Sequence, residues 1–482
     1  MSPLEQAFRN ASPRFGSQPI PPLGAAISTA IAGFWIVAFV AAFRADSLAG
    51  WGVGVAFIVY DVVLALYVGF QALKIWRAPT RPVLSVKRPS VAVIVAAYNE
   101  GPALAATLDA LLTQTEPPER IWLADDGSTD DSARVLAERY GLSAPAVGAA
   151  SAPSPRAPAL RWLRLPHRGK ARALNAALIE VDTEIVVTVD ADTWLEPDAL
   201  AELRDAFAAD PALVVGGGVL VPRCAGGAGG KLMQTFQRIE YVRNFLGRYA
   251  WTEPNALVLV SGAFAAFRTS AVKAVGGFDP QSLVEDYELI HRLHRHARTH
   301  GLDWRIGMIG RARGDTDAPA ALPAFLRQRR RWFAGFLQTH YAYRELIGAP
   351  RYGALGLAMM PVKTLDTAQP LYGLAAFALL IYFVATGRYG AALPAGGLVL
   401  AKIGFDFVNL AFLLAAYRRW TGAQAPVSLP AAWACLIVEP FTFQALRHLG
   451  AARGWLAILA GRLEWGRASR AASDAEEGAA GA

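Results

Sequence analysis

The sequence predicts an α/β fold, a doubly wound mixed sheet with helices on both faces, inserted between hairpins of membrane-spanning helices. Long apolar runs lie towards both ends of the 482-residue chain. Between residues 88 and 320 charged residues become frequent, and short strand-like runs alternate with helical patterns. Such alternation is typical of a sheet whose strands are connected by crossover helices.

The composition is that of a chain that lies partly in lipid. Apolar residues make up 54% of the chain and charged residues 18%, a split expected of a membrane protein. The net charge of +8, with basic residues crowded beside apolar runs, favours a membrane surface and anionic small molecules over nucleic acid. The only cysteines, Cys224 and Cys435, allow no disulfide framework or zinc signature, which fits a reducing compartment.

A first transmembrane hairpin is predicted at residues 24–73, after an N-terminal segment of residues 1–23. Its apolar runs, 24–43 and 51–73, are each long enough to cross a bilayer, which takes about 20 residues. Because a second run follows the first at once, we interpret the pair as an uncleaved hairpin and not as a signal peptide. Basic residues follow the second run, whereas the connection offers Arg44 alone. The positive-inside rule therefore places both flanks in the cytoplasm.

Apolar runs return in the C-terminal part of the chain, at residues 364–387, 392–417 and 428–446. The first two predict a second hairpin within a C-terminal membrane region of residues 364–466. The third contains Glu439 and Pro440, which would break a spanning helix, and a full crossing would place the arginines after it outside. We therefore predict a re-entrant or interfacial element, followed by a disordered cytoplasmic tail of residues 467–482.

Polar groups follow three predicted strands of the inserted domain, residues 88–320. The strands are residues 91–98, 120–126 and 184–190, with a helix at about 102–113 after the first. The groups at their ends are Tyr98-Asn99-Glu100, Asp125-Asp126 and Asp190-Ala191-Asp192. Each alone is an ordinary turn or helix cap. Ligands of doubly wound sheets bind beyond the carboxyl ends of the strands, so the joint placement indicates a ligand site.

The third of these groups predicts a metal and a diphosphate. Asp190 and Asp192 are two residues apart, so their carboxylates point to the same face and repel unless a cation lies between them. Oxygen ligands suit Mg²⁺ or Mn²⁺, which bridge the oxygens of a diphosphate. Arg168, Lys170 and Arg172, ahead of the next helix, can reach the same anion. The pattern indicates a nucleoside diphosphate site with a divalent cation.

Two further segments have open interpretations. Glu285 and Asp286 are either acids at a helix N-terminus or a pair in which one carboxylate is a general base. The histidines that follow them match no zinc spacing, so we predict a solvated basic helix. The segment FLRQRRRWFAGF, residues 325–336, lies in a predicted interfacial region of residues 321–362. Its arginines and aromatic residues suit a helix at a membrane surface.

Taken together, the motifs resemble the membrane-bound family 2 inverting glycosyltransferases, the group of cellulose, chitin and hyaluronan synthases. The matching segments occur in order, over roughly residues 91–332, as AAYNE, DDGSTD, GKARALN, DAD, SGAFAAFR, GGFD, VED and QRRRW. The resemblance implies a GT-A-type fold and a hexosyltransferase in the cytoplasmic membrane, with its catalytic domain in the cytoplasm. It implies transfer from a UDP-sugar, UDP-glucose or UDP-N-acetylglucosamine, to a growing β-linked polysaccharide, with membrane lipids around it.

The resemblance also implies roles for single residues. Asp286 would be the catalytic base, and Asp190 and Asp192 would bind Mg²⁺ or Mn²⁺. The donor would be bound by Tyr98, Glu100, Asp125, Asp126, Lys170, Asp190 and Arg331. The acceptor would be contacted by Glu285, Gln328 and Trp332. Arg329 and Arg330 would have a membrane-surface role or none.

Two departures from the family pattern leave the acceptor open. Val284 stands where the family has threonine, and LVSGAF at residues 259–264 replaces a segment that borders the acceptor sugar in cellulose synthases. A non-processive transferase acting on a lipid acceptor therefore remains an alternative. A non-catalytic membrane protein that binds nucleotide or glycan is a second one, disfavoured by the presence of Asp192 and Asp286. The sequence does not decide which of these sugars is transferred, and it predicts no export partner.

Overall fold

The computed structural model describes residues 2–16, 18–77 and 88–461, so the predicted tail lies outside the described residues. The α-helices are α1 (Pro3–Ala11), α2 (Pro22–Arg44), α3 (Gly52–Ala72), α4 (Gly101–Leu112), α5 (Ser132–Tyr140), α6 (Lys170–Ile179), α7 (Ala199–Ala209), α8 (Ala228–Thr252), α9 (Thr269–Ala274), α10 (Glu285–Thr299), α11 (Leu322–Ala342), α12 (Met360–Ala385), α13 (Tyr389–Thr421), α14 (Leu429–Val438) and α15 (Phe443–Leu459). The strands are β1 (Val91–Ala97), β2 (Arg120–Asp125), β3 (Leu160–Arg164), β4 (Ile185–Asp190), β5 (Thr193–Leu195), β6 (Leu213–Arg223), β7 (Phe264–Arg268) and β8 (Arg305–Asp317).

The strands form one mixed sheet in the order β3-β2-β1-β4-β7-β6-β8-β5. β1 to β4 run parallel to their neighbours among themselves, whereas β7 runs antiparallel to both β4 and β6. The register pairs Ala97 with Asp125 and Ala96 with Asp190. The predicted polar groups therefore lie side by side at one edge, and the prediction of a doubly wound mixed sheet is confirmed.

The central strand β1 shows why this sheet needs helices on both faces. Its sequence is VAVIVAA, and Val93, Ile94 and Val95 are completely buried although consecutive side chains point to opposite faces. A strand that is apolar on both faces belongs inside a covered, largely parallel sheet.

Four helices among the described residues are long and apolar enough to cross a membrane: Pro22–Arg44, Leu48–Trp76, Leu355–Ala385 and Tyr389–Thr421. They coincide with the two predicted hairpins. The last apolar run is bent, as predicted: Leu429–Phe441 meets Phe443–Leu459 at an angle of 48°, and Glu439–Phe441 forms a 3-10 turn just before the bend. Either a broken span or a re-entrant loop fits this bend, and the side of the membrane on which each loop lies stays a prediction.

The N-terminal segment packs against the α/β domain. Phe8 of α1 lies so close to Gly276 that a Cβ atom there would come within 2.2 Å of the Phe8 backbone nitrogen. Gly276 has a φ of +85°, so both its backbone conformation and this contact favour glycine. Farther along, Arg14 forms an ion pair of 2.9 Å with the buried carboxylate of Asp279. Gly276 and Asp279 both belong to the GGFD segment, and the sequence alone did not indicate that the N-terminal segment contacts it.

Helices α11 and α15 approach each other through two glycines spaced four residues apart. A Cβ atom on Gly450 would lie 2.6 Å from Cβ of Arg329, and one on Gly454 would lie 3.0 Å from the backbone nitrogen of Ala334. Small residues at this spacing let helix backbones come close together, as in membrane helix pairs. The arginine-rich helix is therefore tied to the last described helix of the membrane region.

Candidate active site

Three residues predicted from separate motifs meet at the polar edge of the sheet. Lys170 begins α6, Asp190 ends β4 and Glu285 begins α10. The ammonium nitrogen of Lys170 lies 2.5 Å from Asp190 Oδ1 and 3.3 Å from Glu285 Oε1. Burial alone would lower the pKa of Lys170, but these two carboxylates raise it above its ordinary value, so the side chain stays charged. A fixed cation therefore lies beside the predicted diphosphate site.

Asp286, the predicted base, lies in the first turn of α10. Its Oδ2 accepts a hydrogen bond of 2.7 Å from the backbone N–H of Gly262. A Cβ atom at position 262 would lie 3.0 Å from the Asp286 side chain, so glycine leaves space for this contact. Burial and the neighbouring Glu285 raise the pKa of Asp286, and Lys170 opposes them. The site thus holds a carboxylate that is more basic than an ordinary aspartate.

The first two acids of DDGSTD, Asp125 and Asp126, hold the backbone of the site in place. Asp125 accepts hydrogen bonds from the Ser128 backbone N–H at 2.8 Å and from the Trp162 indole N–H at 3.0 Å. Asp126 accepts two bonds of 2.9 Å, from the backbone N–H groups of Arg168 and Gly169. These bonds order the segment that leads into Lys170. Direct donor binding by either aspartate stays a prediction.

An aromatic stack lies next to this segment. The rings of Tyr98 and His167 are nearly parallel, with centroids 4.0 Å apart and an angle of 16° between them. His167 Nδ1 also lies 2.8 Å from Asp126 Oδ2. Tyr98 therefore lies where nucleotide binding was predicted, with a histidine against its ring. The sequence pattern predicts no role for His167, although the residue is only three positions before Lys170.

The acidic pair Asp190 and Asp192 flanks Ala191, where the chain leaves β4, and both side chains are partly exposed. Glu100 lies just before α4 at the same edge and is also partly exposed. Among the described residues there is no group of three or more His, Cys, Asp or Glu side chains that could hold a metal ion by itself. Mg²⁺ is commonly held by one or two carboxylates together with phosphate oxygens. The pair therefore fits a cation shared with a diphosphate and does not fit a cage built from protein alone.

The arginine-rich segment lies on α11, and its side chains have different surroundings. Gln328, Arg331 and Trp332 are partly exposed, and the carboxamide oxygen of Gln328 is buried without a hydrogen-bond donor among the described residues. Arg330 is exposed. The prediction that Arg329 has a surface role or none is wrong. Its guanidinium is buried and donates to the carboxylate of Glu240, a buried acid that needs a cationic partner.

The prediction of a solvated basic helix after Asp286 is wrong for two of its histidines. His291 is completely buried, with Nδ1 2.8 Å from the Tyr287 carbonyl oxygen, and His294 is buried with Nε2 2.8 Å from the Leu257 carbonyl oxygen. Burial lowers the pKa of His291 to about 3 and that of His294 to about 4, so both rings are neutral. Segments outside α10 cover this face, which the local sequence does not show.

Comparison with known proteins agrees with this geometry. Residues 92–276 match the model of glycosyl transferase family 2, and residues 185–398 match that of glycosyl transferase family group 2, so the matches together span more than half of the chain. Relatives include two synthases of poly-β-1,6-N-acetyl-D-glucosamine. The one from Staphylococcus epidermidis is 27% identical over 51% of this chain and 54% of its own. The one from Staphylococcus aureus (strain COL) is 26% identical over 58% of this chain and 62% of its own.

The match therefore spans less than two thirds of the length of either synthase. Among solved structures, a mannosyltransferase from Pyrobaculum calidifontis in complex with GDP-Man and Mn²⁺ matches with a TM-score of 0.53 and 22% identity. The match covers 80% of this chain and 98% of the mannosyltransferase. This likeness bears on the fold alone, and it confirms the GT-A-type architecture expected from the sequence.

Proposed function

Because the chain belongs to the family 2 glycosyltransferases, we propose that it transfers a sugar from a UDP-sugar to a growing β-linked polysaccharide. The observation that carries this proposal is the placement of Asp286 beside the Lys170–Asp190–Glu285 cluster at the carboxyl edge of the sheet. A basic carboxylate and a fixed cation are thereby close to each other. UDP-N-acetylglucosamine is the first donor to test, because the synthases named above make a polymer of N-acetylglucosamine.

The proposed reaction is a single displacement. Asp286 takes the proton of an acceptor hydroxyl, whose oxygen forms a bond to the anomeric carbon while the bond from that carbon to the UDP oxygen breaks. Lys170 and Arg331 offset the negative charge that grows on the departing diphosphate. A Mg²⁺ or Mn²⁺ ion held by Asp190 and Asp192 would add positive charge at the same place. Attack from the side opposite UDP turns an α-linked donor into a β-linked product.

We place the catalytic domain on the cytoplasmic side of the membrane, as a multi-pass protein with both hairpins embedded. Lys74 and Arg77, at the end of the second span, support this orientation under the positive-inside rule. Single cysteines introduced at exposed Arg330 and at Ser47, between the first two spans, can be labelled with an impermeant maleimide in spheroplasts. Labelling at 47 without labelling at 330 is expected, and the reverse pattern would contradict the orientation.

The proposed function is tested by product size. Purified protein in lipid nanodiscs is incubated with Mg²⁺ and each of a panel of labelled UDP-sugars, and the products are separated by length. A ladder of products from one UDP-sugar is expected. A single lipid-linked species would establish the alternative of a lipid acceptor, and binding of UDP without transfer of any sugar would contradict the enzymatic proposal.

Arg331→Lys and Trp332→Ala should each lower transfer at least about tenfold, which corresponds to about 1.4 kcal/mol at the transition state. Lysine cannot copy the planar fork with which arginine holds a phosphate, and alanine offers no flat surface to an acceptor sugar. Arg330→Lys, on the exposed side of the same helix, is the control and should change little. The measurement is initial rate at matched protein concentration. Equal, small losses from Arg331→Lys and Arg330→Lys would return these two arginines to a membrane-surface role.

Transfer should decline as the pH is lowered through the pKa of Asp286, because only the carboxylate can accept the proton. Burial and Glu285 raise this pKa above that of an ordinary aspartate, so the decline should begin at a higher pH than the usual carboxyl range, about 4. Initial rates across pH, with UDP binding measured alongside, separate this effect from loss of the donor. A rate that stays constant down to pH 4 while UDP remains bound would contradict it.

A further inference from the structure

The buried arginine of α11 forms a fork with an acid of another helix. Arg329 is 8% exposed, and its two terminal nitrogens lie 2.7 Å and 2.8 Å from the two carboxylate oxygens of Glu240 on α8. Paired hydrogen bonds of this kind fix the plane of the guanidinium as well as its position. The neighbouring Arg330 points outward, so adjacent arginines of the same motif have different surroundings.

The faces of this guanidinium are covered by two rings of its own helix. Cζ of Arg329 lies 4.7 Å from the ring centroid of Phe325 and 4.6 Å from that of Trp332. These residues are four positions before and three positions after Arg329, the spacings that bring side chains together on a helix surface. A cation over the face of an aromatic ring is attracted by it, most strongly over tryptophan. Trp332 is therefore held on one face by Arg329.

Glu240 also ties this unit to the membrane region. Nε of Arg447, on α15, lies 3.0 Å from the oxygen of Glu240 that receives the first bond from Arg329. Burial alone would raise the pKa of Glu240, but Arg329 and Arg447 hold it below its ordinary value. Three helices, α8, α11 and α15, thus share one charge cluster around the buried Glu240, next to the glycine contact between α11 and α15.

We propose that Arg329 is a positioning residue that sets the plane of Trp332 for the acceptor sugar, with Glu240 as its anchor. The proposal rests on the proposed function, in which Trp332 contacts the acceptor. Arg329 covers one face of the indole, and the ring also packs against the apolar cluster that includes Val284 and Tyr287. A sugar ring can therefore reach only the part of the indole that stays exposed. It contributes to transfer through Trp332 and does not itself touch substrate.

Lysine is the informative replacement at position 329. It keeps the positive charge beside Glu240 but lacks the planar fork and the flat surface that stacks on the indole. Arg447 remains next to Glu240 in this variant, so the buried acid is not left without a partner. Arg329→Lys should therefore fold, with a melting temperature close to that of the wild-type protein. Arg330→Lys is the matched control on the same helix.

The test measures transfer from UDP-N-acetylglucosamine to a short β-1,6-linked N-acetylglucosamine oligosaccharide by purified protein in nanodiscs. Arg329→Lys should lower kcat/KM for the acceptor by up to about tenfold, the loss predicted above for Trp332→Ala, because Arg329 acts only through that ring. It should leave the Kd for UDP unchanged within about twofold. In a protein that already carries Trp332→Ala, Arg329→Lys should lower kcat/KM for the acceptor by less than about threefold, because the effects of two residues that act as a unit do not add. If Arg329 had a purely structural role, Arg329→Lys would lower kcat/KM for the acceptor by the same factor in the wild-type protein and in Trp332→Ala.

The outcomes are distinct. If the wild-type protein transfers sugar and Arg329→Lys has the same kcat/KM for the acceptor as Arg330→Lys, this inference is overturned and the proposed function stays intact. Equal losses from Arg329→Lys with and without Trp332 also overturn it, because the residue would then act by another route. A wild-type protein that binds UDP but transfers no sugar from any UDP-sugar of the panel overturns the proposed function and this inference with it.

Discussion

Replacing Asp286 by asparagine should lower kcat by about 10²–10⁴-fold, the usual contribution of a general base, while UDP affinity changes by no more than a few-fold. Asparagine is nearly the same size as aspartate, and its carbonyl oxygen can still accept the hydrogen bond from Gly262. Its amide cannot accept a proton from the acceptor hydroxyl at neutral pH. The carboxylate of Asp286 also accepts a hydrogen bond of 2.8 Å from the Tyr287 backbone N–H, which the NH2 group of asparagine cannot accept. One of the two contacts is therefore kept while the proton acceptor is removed.

The matched control is Glu285→Gln, one residue earlier in the same helical turn. Glu285 lies 3.3 Å from Lys170 and is predicted to contact the acceptor. Removing the negative charge of Glu285 should therefore change the KM for the acceptor more than it changes kcat. Initial rates over a range of acceptor concentrations, with UDP binding measured separately, distinguish the two variants. An Asp286→Asn protein with normal turnover would move the base to another residue, with Glu285 examined first.

Removing divalent cations with EDTA should abolish transfer, and Mg²⁺ or Mn²⁺ should restore it. Asp192→Asn removes one of the two anionic ligands, so this variant should be inactive in the presence of either metal, while its membrane insertion and its melting temperature stay unchanged. Two carboxylates and a diphosphate suffice to hold such an ion. The nearby exposed Asp198, replaced by asparagine, provides a control of equal charge change.

The cation requirement is measured as initial rate against metal concentration for the wild-type protein, Asp192→Asn and Asp198→Asn. Undiminished transfer in EDTA, after removal of bound metal by dialysis, would contradict the assignment. So would an Asp192→Asn variant with the metal dependence of the wild type. In the first case Lys170, which lies 2.5 Å from Asp190, and Arg331 would supply the positive charge beside the diphosphate.

The polar edge of the sheet could be predicted because local sequence and topology agree there. Apolar runs such as VAVIVAA are long enough to require burial on both faces, and parallel strands place their carboxyl ends together. Asp125 and Asp190 therefore lie at the same edge of the sheet as Tyr98, although Tyr98 and Asp190 are 92 positions apart in the chain. The position of the antiparallel strand β7 could not be predicted, because its pairing with β4 and β6 depends on contacts between distant segments.

Features that depend on a distant partner escaped prediction. Three successive arginines are chemically alike in the sequence, and only Glu240, 89 positions away, turns Arg329 inward. His291 and His294 have ordinary spacing, and their burial comes from segments outside α10. One signal was present: Gly450 and Gly454 have the spacing of a close helix contact, which indicated that α15 packs tightly against another helix.

The central claim, inverting transfer by a single displacement at Asp286, is tested most directly by the configuration of the new glycosidic bond. Purified protein in nanodiscs is given α-linked UDP-N-acetylglucosamine labelled with ¹³C at the anomeric carbon, and the one-bond carbon–hydrogen coupling of the product is measured by NMR. A β-configured product, formed by the wild-type protein and nearly lost in Asp286→Asn, is expected. An α-configured product would contradict a single displacement and the role of Asp286 in it.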